Sequence, residues 1–172
     1  LGVTEAVTLA AKVNILGGSG EQSKRVLEAE DELWAKPTAP RYLLRGAASA
    51  RRVRLWNGGW IQALMASQRS VRGLHPVRLR CDEVDEMDLN ILDAALGQPK
   101  ETRGVPAQIV LSSTFHNPDG TMRQILRRAA EQNIRVFTWC YKETLEPHGW
   151  LSQREVNEAR ETIPKQMWHV EY

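Results

Sequence analysis

An open, largely parallel α/β sheet is the fold class this sequence predicts, and three observations predict it. Short apolar runs alternate with segments of helical periodicity along most of the 172 residues. Polar clusters fall just after the apolar runs, where a parallel sheet presents its carboxyl-terminal edge. The one break in the alternation has a glycine-centred middle and predicts a β-hairpin.

Leu1 to Ala11 is rich in Ala, Leu and Val and reads as a helix. Val13 to Leu16 is a short apolar strand that ends in Gly-Gly-Ser-Gly, a tight loop. Ser19 and Gln22 then have the spacing of a capping box, in which the hydroxyl meets an orphan amide and the side-chain amide reaches back. A helix from about Glu21 to Trp34 follows, with Val26, Ala29 and Leu33 on one face, and Pro37 and Pro40 end it. In Arg51 to Met65, Val53 and Leu55 alternate with arginines, Asn57-Gly58-Gly59 tolerates positive φ, and Trp60 to Met65 offers the return strand. A polar loop, Ser67 to Gly73, leads to a strand with Leu79 and Cys81 that ends in Asp82 and Glu83.

Met87, Ile91 and Ala95 share helical spacing and predict a helix that stops near Gly97 and Pro99. Ala107 to Leu111 is another apolar strand, ending in Ser112, Ser113 and Thr114. Met122, Ile125, Leu126 and Ala129 mark an amphipathic helix, and Ile134 to Thr138 a further strand. Ser152 and Glu155 form a second capping box that opens a helix to about Thr162, and Met167 to Tyr172 suits a final strand.

At 42% hydrophobic, the chain has material for one substantial core. No apolar run approaches the roughly 20 residues of a membrane span, and no signal-peptide pattern opens the chain, so a soluble protein in a reducing cytoplasm is expected. Cys81 and Cys140 lie far apart in apolar surroundings, which suits buried thiols, and the four histidines are scattered without metal-ligand spacing. Core positions are expected for Trp56, Trp60, Trp139, Trp150 and Trp168, since large aromatics bury well. The chain opens on Leu1 and is expected to be a fragment or processed piece.

Charge is distributed unevenly. Nine arginines and no acid occupy Arg41 to Arg80, and the charges of the next twenty residues are mostly acidic. A basic block beside an acidic one fits a phosphate site next to a divalent-cation site, although a solvated arginine-rich surface is the commoner explanation of such a run.

The adjacent acids carry the sharpest chemical signal. In an ATPase of the Walker type the first acid orients magnesium and the second takes a proton from the attacking water, so each needs its own direction. Neighbouring strand-end residues provide two directions. Acids entering a helix are also favoured simply by the amide dipoles there. Gly-Gly-Ser-Gly-Glu-Gln-Ser-Lys fails as a phosphate loop, because the lysine must directly follow the closing glycine and Glu21 stands there instead. The hydroxyls of Ser112 to Thr114 suit sensing a phosphate or water, and also suit an ordinary turn. Arg69 and Arg72 fit either a phosphate contact or a solvated loop.

Taken in succession, Ile-Leu-Gly-Gly-Ser-Gly-Glu-Gln-Ser-Lys-Arg-Val, the Asn57 to Pro76 segment, Leu79 to Asp88, Ile109 to Gly120 and Trp168 to Tyr172 resemble the ATPase domain of the large terminase subunit of tailed bacteriophages. The resemblance covers almost the whole chain and rests on the order and spacing of the segments. It implies a RecA-like P-loop NTPase fold of the ASCE group, with a mostly parallel sheet flanked by helices, a β-hairpin insertion and a truncated N-terminus. Residues 1–172 would then be a partial ATPase domain, with the Walker A segment before Leu1 and the nuclease domain after Tyr172.

The implied activity is hydrolysis of ATP with Mg2+ to drive double-stranded DNA into a capsid, with little or no turnover by this piece alone. Asp82 matches the magnesium-orienting acid and Glu83 the catalytic glutamate. Arg72 matches the arginine that acts on a neighbouring subunit's ATP, and Ser112, Ser113 and Thr114 match the coupling motif. Implied partners are DNA, the portal protein, the terminase small subunit and further copies in a ring on the portal, without membrane; the implied setting is the host cytoplasm and, transiently, the procapsid portal. The missing phosphate-loop strand would lie between Ala107–Leu111 and Ile134–Thr138, so a gap or a closed-up pairing is expected there. Two other readings share features of the sequence: a helicase-type nucleic-acid-dependent ATPase, and a non-catalytic DNA-binding or assembly module using the Arg41 to Arg80 block.

Overall fold

A computed structural model describes residues 2–46, 52–64, 67, 71–73, 75–165 and 167–168. They group into two compact units, Leu1–Ser113 and Thr114–Tyr172.

The first unit is built on β1 (Lys12–Gly17), β2 (Arg52–Arg54), β3 (Trp60–Leu64), β4 (Arg78–Asp82) and β5 (Gln108–Leu111), which form one sheet in the order β2-β3-β1-β4-β5. β1 runs parallel to β3 and β4, and β4 parallel to β5; only the hairpin strand β2 is antiparallel, to β3. The predicted α/β class and hairpin are therefore present. β1 takes the centre because Val13, Asn14, Leu16 and Gly17 are all buried, the pattern of a strand covered on both faces.

Register sorts the faces. Val13 and Ile15 lie beside Arg78 and Arg80 of β4 and beside Ile61 and Ala63 of β3. Helix α1 (Gly2–Leu9) and Trp34 of α2 (Gly20–Ala35) pack on that face, where Ala6, Val13, Val53, Leu55 and Ile61 form a buried cluster. Leu16, Leu79 and Cys81 alternate onto the opposite face and are buried there.

Local signals set the helix ends. Ser19 Oγ accepts the Gln22 amide (3.2 Å) while Gln22 Oε1 accepts the Ser19 amide (2.8 Å), so the predicted capping box is present in full. Glu30, on the inner side of α2, is buried; desolvation raises its carboxyl above the usual range, against the opposing pull of the Trp34 indole N–H at 3.3 Å. Helix α3 (Leu89–Leu96) starts later than its periodicity predicts. Val84–Glu86 form a 3-10 turn, and the Asp88 carboxylate accepts the amides of Asn90 and Ile91, so Met87 is buried outside the helix rather than on its face.

In the second unit, α4 (Thr121–Glu131) and α5 (Gln153–Thr162) form as predicted, α5 behind the Ser152 and Glu155 capping box. The hydroxyl and amide of Ser152 hold the Glu155 carboxyl below its usual range. The predicted strand Ile134–Thr138 does not form: the segment pairs with no strand among the described residues, and Ile134, Val136 and Phe137 are exposed. Apolar alternation needs a neighbour with free backbone groups to become a strand. Among the described residues β5 pairs with β4 alone, leaving Ile109 and Val110 40% and 39% exposed; of the gap or closed-up pairing expected beside it, no pairing forms. Met167 and Trp168 are helical rather than extended, Trp168 meeting Tyr141 edge to face at 5.8 Å; the rest of the predicted tail strand lies outside the described residues.

Two burial expectations are corrected. Trp56, Trp139 and Trp150 are 67%, 67% and 79% exposed because short turns and irregular segments carry them; Trp60, at the start of β3, and Trp168 are half-buried, and Trp34 on α2 is the buried one. Cys81 is buried as expected, whereas Cys140 is exposed just before the 3-10 turn Tyr141–Thr144. Burial, then the nearby Asp82, pushes the Cys81 thiol up to about 12. The unfolded chain releases that proton first, so the fold is expected to lose stability as pH rises from 9.0 towards about 12. At neutral pH, titration with a thiol reagent is expected to label Cys140 rapidly and Cys81 only in denaturant; fast labelling of both would contradict the packing of β4.

Among the described residues no helix is long and apolar enough to cross a membrane.

Candidate functional site

The carboxyl-terminal ends of β1, β4 and β5 bring the predicted acids and two of the predicted hydroxyls together. β4 delivers Asp82 exposed and Glu83 half-buried at its end. β5 runs parallel and in register beside it, Cys81 opposite Leu111, so Ser112 and Ser113 arrive next to the acids.

Each carboxylate has its own serine. Ser112 Oγ donates to Asp82 Oδ1 at 2.7 Å; the Cys81 carbonyl stands at 3.3 Å from the same hydroxyl, whose one proton favours the closer, charged acceptor. Ser113 Oγ accepts the Asp85 amide at 3.1 Å and donates to Glu83 Oε2 at 3.4 Å. The backbone joins the same elements, with the Ser112 amide on the Cys81 carbonyl (2.9 Å) and the Val84 amide on the Ser112 carbonyl (3.2 Å). The rim turns sharply at Glu83, which sits in the left-handed region (φ 53°, ψ 51°) and so aims its side chain away from Asp82's direction.

The third side of the rim was missed by sequence reasoning. Gln22, whose Oε1 is used in the cap, donates its Nε2 to Glu86 Oε2 at 3.0 Å, tying the start of α2 to the turn after Glu83. A capping glutamine keeps its amide hydrogens in reserve, and that was the available signal. Gly18 permits this approach. A Cβ there would lie 2.8 Å from Glu86 Cβ, 2.9 Å from Gln22 Oε1 and 3.0 Å from the Glu83 carbonyl oxygen. Gly18→Ala is therefore expected to displace the Glu83 turn and cost about 1–3 kcal/mol, the range of overpacked sites, read as a lower urea midpoint; an unchanged midpoint would show that the turn yields freely.

Two predicted residues stand outside the strands that carry the rim. Arg72 is exposed on the 71–73 segment, between β3 and β4. Thr114 opens the second unit, its hydroxyl against the His116 ring. Arg69 lies outside the described residues.

No group of three or more His, Cys, Asp or Glu side chains able to hold a metal ion occurs among the described residues. Of the rim's exposed carboxylates, Glu86 is engaged by Gln22 and Asp82 by Ser112, so Asp82 at the end of β4 is the carboxylate that could meet a divalent ion together with water and phosphate oxygens. That fits magnesium, which is held by one or two carboxylates with waters and substrate phosphates, and does not fit a cation needing an all-protein cage.

The mostly parallel sheet, flanked by helices and carrying polar residues at the carboxyl ends of its strands, is an open α/β fold consistent with the RecA-like architecture. Solved structures of the same architecture include the large terminase of a thermophilic bacteriophage in complex with ADP, in a third crystal form (TM-score 0.69, 13% identity), and the same terminase in a second crystal form (TM-score 0.69, 11% identity). Each alignment covers 92% of this chain and 39% of the terminase, so the chain spans about two-fifths of that protein's length. No family model and no curated protein sequence matches. At such identity the likeness establishes the fold.

Proposed function

We propose that this chain is the ATP-hydrolysing part of a terminase large subunit, a motor that drives double-stranded DNA into a viral capsid. The observation that carries the reading is the double pairing at the rim: Asp82 with Ser112 at 2.7 Å and Glu83 with Ser113 at 3.4 Å, two acids oriented separately by the adjoining strand. The ADP bound by the thermophilic phage terminase supports a nucleotide as ligand. The likeness in fold to terminases favours packaging over a helicase-type motor.

In this reading Asp82 would hold magnesium, which would neutralise charge on the phosphates of ATP, and the terminal phosphoryl group would pass to water with ADP as the leaving group. Glu83 accepts the proton of the attacking water, and Ser113 restrains its carboxylate so that one oxygen keeps a fixed heading. Arg72, exposed and basic, answers developing charge on the ATP of a neighbouring subunit in a ring. Ser112 and Ser113 report the state of the acids to β5, and Thr114 passes it into the second unit. The portal protein and small subunit are the partners of such a ring, and the procapsid portal in the host cytoplasm is its place of work.

The test is turnover. A chain extended upstream through a lysine-bearing phosphate loop is expected to release phosphate from ATP with magnesium and DNA, and residues 1–172 alone to release little. An extended chain that stays inert under those conditions would remove the support for an ATPase.

A further inference from the structure

We infer that the rim of the β2–β3 hairpin is a binding site for single-stranded DNA, built from Arg45, Arg52 and Arg54 with Trp56, Trp60 and Tyr42. The hairpin register sets Arg52 opposite Gln62 and Arg54 opposite Trp60, so these four side chains share one face while Val53 and Ile61 enter the core on the other. The 41–46 segment closes against β2: the Arg45 amide donates to the Arg54 carbonyl at 2.8 Å and the Trp56 amide to the Leu43 carbonyl at 3.0 Å. Arg45 is thereby seated beside Arg54, and Tyr42 beside the Trp56 turn.

Two of these cations lie on rings. The Arg45 guanidinium carbon is 5.7 Å from the Trp56 ring centre, and that of Arg52 is 4.9 Å from the Trp60 ring centre. Arg52 also donates its Nη2 to Gln62 Oε1, so it is Arg45, exposed over Trp56, whose guanidinium is placed to meet two oxygens of a phosphate. Trp56 and Tyr42 remain 67% and 80% exposed, and Arg45 and Arg54 are exposed as well.

Arg52 and Arg54 stand two apart on β2, with Arg45 beside Arg54, and like charges so close oppose each other. The sequence adds no relief, having no Asp or Glu between Glu32 and Asp82. Arg52 registers the crowding: desolvation, then the charge of Arg54, lowers its affinity for a proton. A chain of phosphates relieves that repulsion, and the exposed rings select the form of polyanion. Bases of a single strand stack on open aromatic faces, whereas those of a duplex are already stacked on each other. An acidic peptide would meet the guanidiniums and leave the rings idle.

The choice of DNA over RNA rests on the packaging reading proposed above, whose cargo is double-stranded; the preference for a single strand rests on the exposed rings of Trp56 and Tyr42 alone. Binding needs no nucleotide, so failure of hydrolysis leaves the assay readable, and failure of binding leaves the hydrolysis reading standing.

Fluorescence anisotropy of a labelled oligothymidylate, titrated with the whole chain, tests the inference. Expected are tighter binding to the single strand than to a duplex of equal length and an affinity that falls with salt. Trp56→Ala, Tyr42→Ala and Arg54→Gln are each expected to weaken binding by about tenfold, and Trp56→Phe to restore most of the loss. Each variant is read only at a melting temperature matching the parent, and Tyr42, the most exposed of the three, keeps the test decisive if Trp56→Ala unfolds. Equal binding of duplex or heparin, unchanged affinity in Trp56→Ala and Tyr42→Ala, or tighter binding of oligouridylate would each overturn it.

Discussion

Glu83→Gln, introduced into a chain extended upstream by a lysine-bearing phosphate loop, is expected on the ATPase reading proposed above to lower ATP turnover by about 10²- to 10⁴-fold, the usual contribution of a general base. Glutamine has the same volume and still accepts the Ser113 hydroxyl, which stands 3.4 Å from Glu83 Oε2. What it loses is the capacity to take a proton. Nucleotide binding, measured by equilibrium dialysis, is expected to persist, since Asp82 and its bond to Ser112 are untouched. A second substitution separates chemistry from backbone. Glu83 adopts φ 53° and ψ 51°, a conformation costing an ordinary residue roughly 1–2 kcal/mol and glycine little. Glu83→Gly is therefore expected to abolish turnover while stabilising the fold, or leaving it unharmed, in urea unfolding. A side chain kept against its own conformational preference is the pattern of a functional position. Turnover by Glu83→Gln at the parent rate would end the assignment of Glu83 as base.

The readable part of the molecule is the part whose physics is local. β1 is legible from the short run Val13–Leu16 ending in a glycine loop, β4 from Leu79 and Cys81 running into adjacent acids, and the caps at Ser19 and Ser152 because both partners lie within one turn. The pairing of Asp82 with Ser112 follows once the two strands are recognised as parallel neighbours, since Asp82 ends β4 and Ser112 comes directly after β5. Ile134–Thr138 fails for the converse reason: its alternation is correct, but a strand exists only against a partner, and alternation says nothing about one. Gln22 and Glu86 meet across 64 residues through the close approach of a glycine loop, which no spacing encodes. Met87 carries helical periodicity by coincidence, Asp88 having taken the capping position after it. The exposed tryptophans mislead because size predicts burial only where a regular element presents the ring to a core.

Glu5→Leu is expected to destabilise the first unit by about 3–5 kcal/mol, the cost of leaving buried cations without their acid. Glu5 of α1 holds two arginines of β4: its Oε1 accepts Arg78 Nε at 2.6 Å and Arg80 Nη2 at 2.9 Å, and its Oε2 accepts Arg80 Nη2 at 2.7 Å. The three side chains are only 12%, 8% and 15% exposed. Arg78 also donates to the Pro106 carbonyl and Arg80 to Gln108 Oε1 at 2.8 Å, so one carboxylate links α1, β4 and the approach to β5. The arrangement is already short of acceptors, because Arg80 Nε is buried without a hydrogen-bond partner. Removing the acid strands both cations, whereas replacing all three by apolar residues, Glu5→Leu with Arg78→Met and Arg80→Met, removes the desolvation cost together with the attraction. The triple variant is accordingly expected to recover most of the loss in urea unfolding. Arg78, Arg80 and Asp82 alternate onto the same face of β4, so α1 braces the strand that carries the first acid. In the extended chain, Glu5→Leu should lower turnover under conditions where the protein is still folded, and the triple variant should restore it if bracing, rather than charge, is what α1 contributes. Recovery of stability without recovery of turnover would instead place the charge of these arginines in the working of the rim, and a cost below about 1 kcal/mol for Glu5→Leu would mean that water reaches the triad and screens it as it does a surface pair.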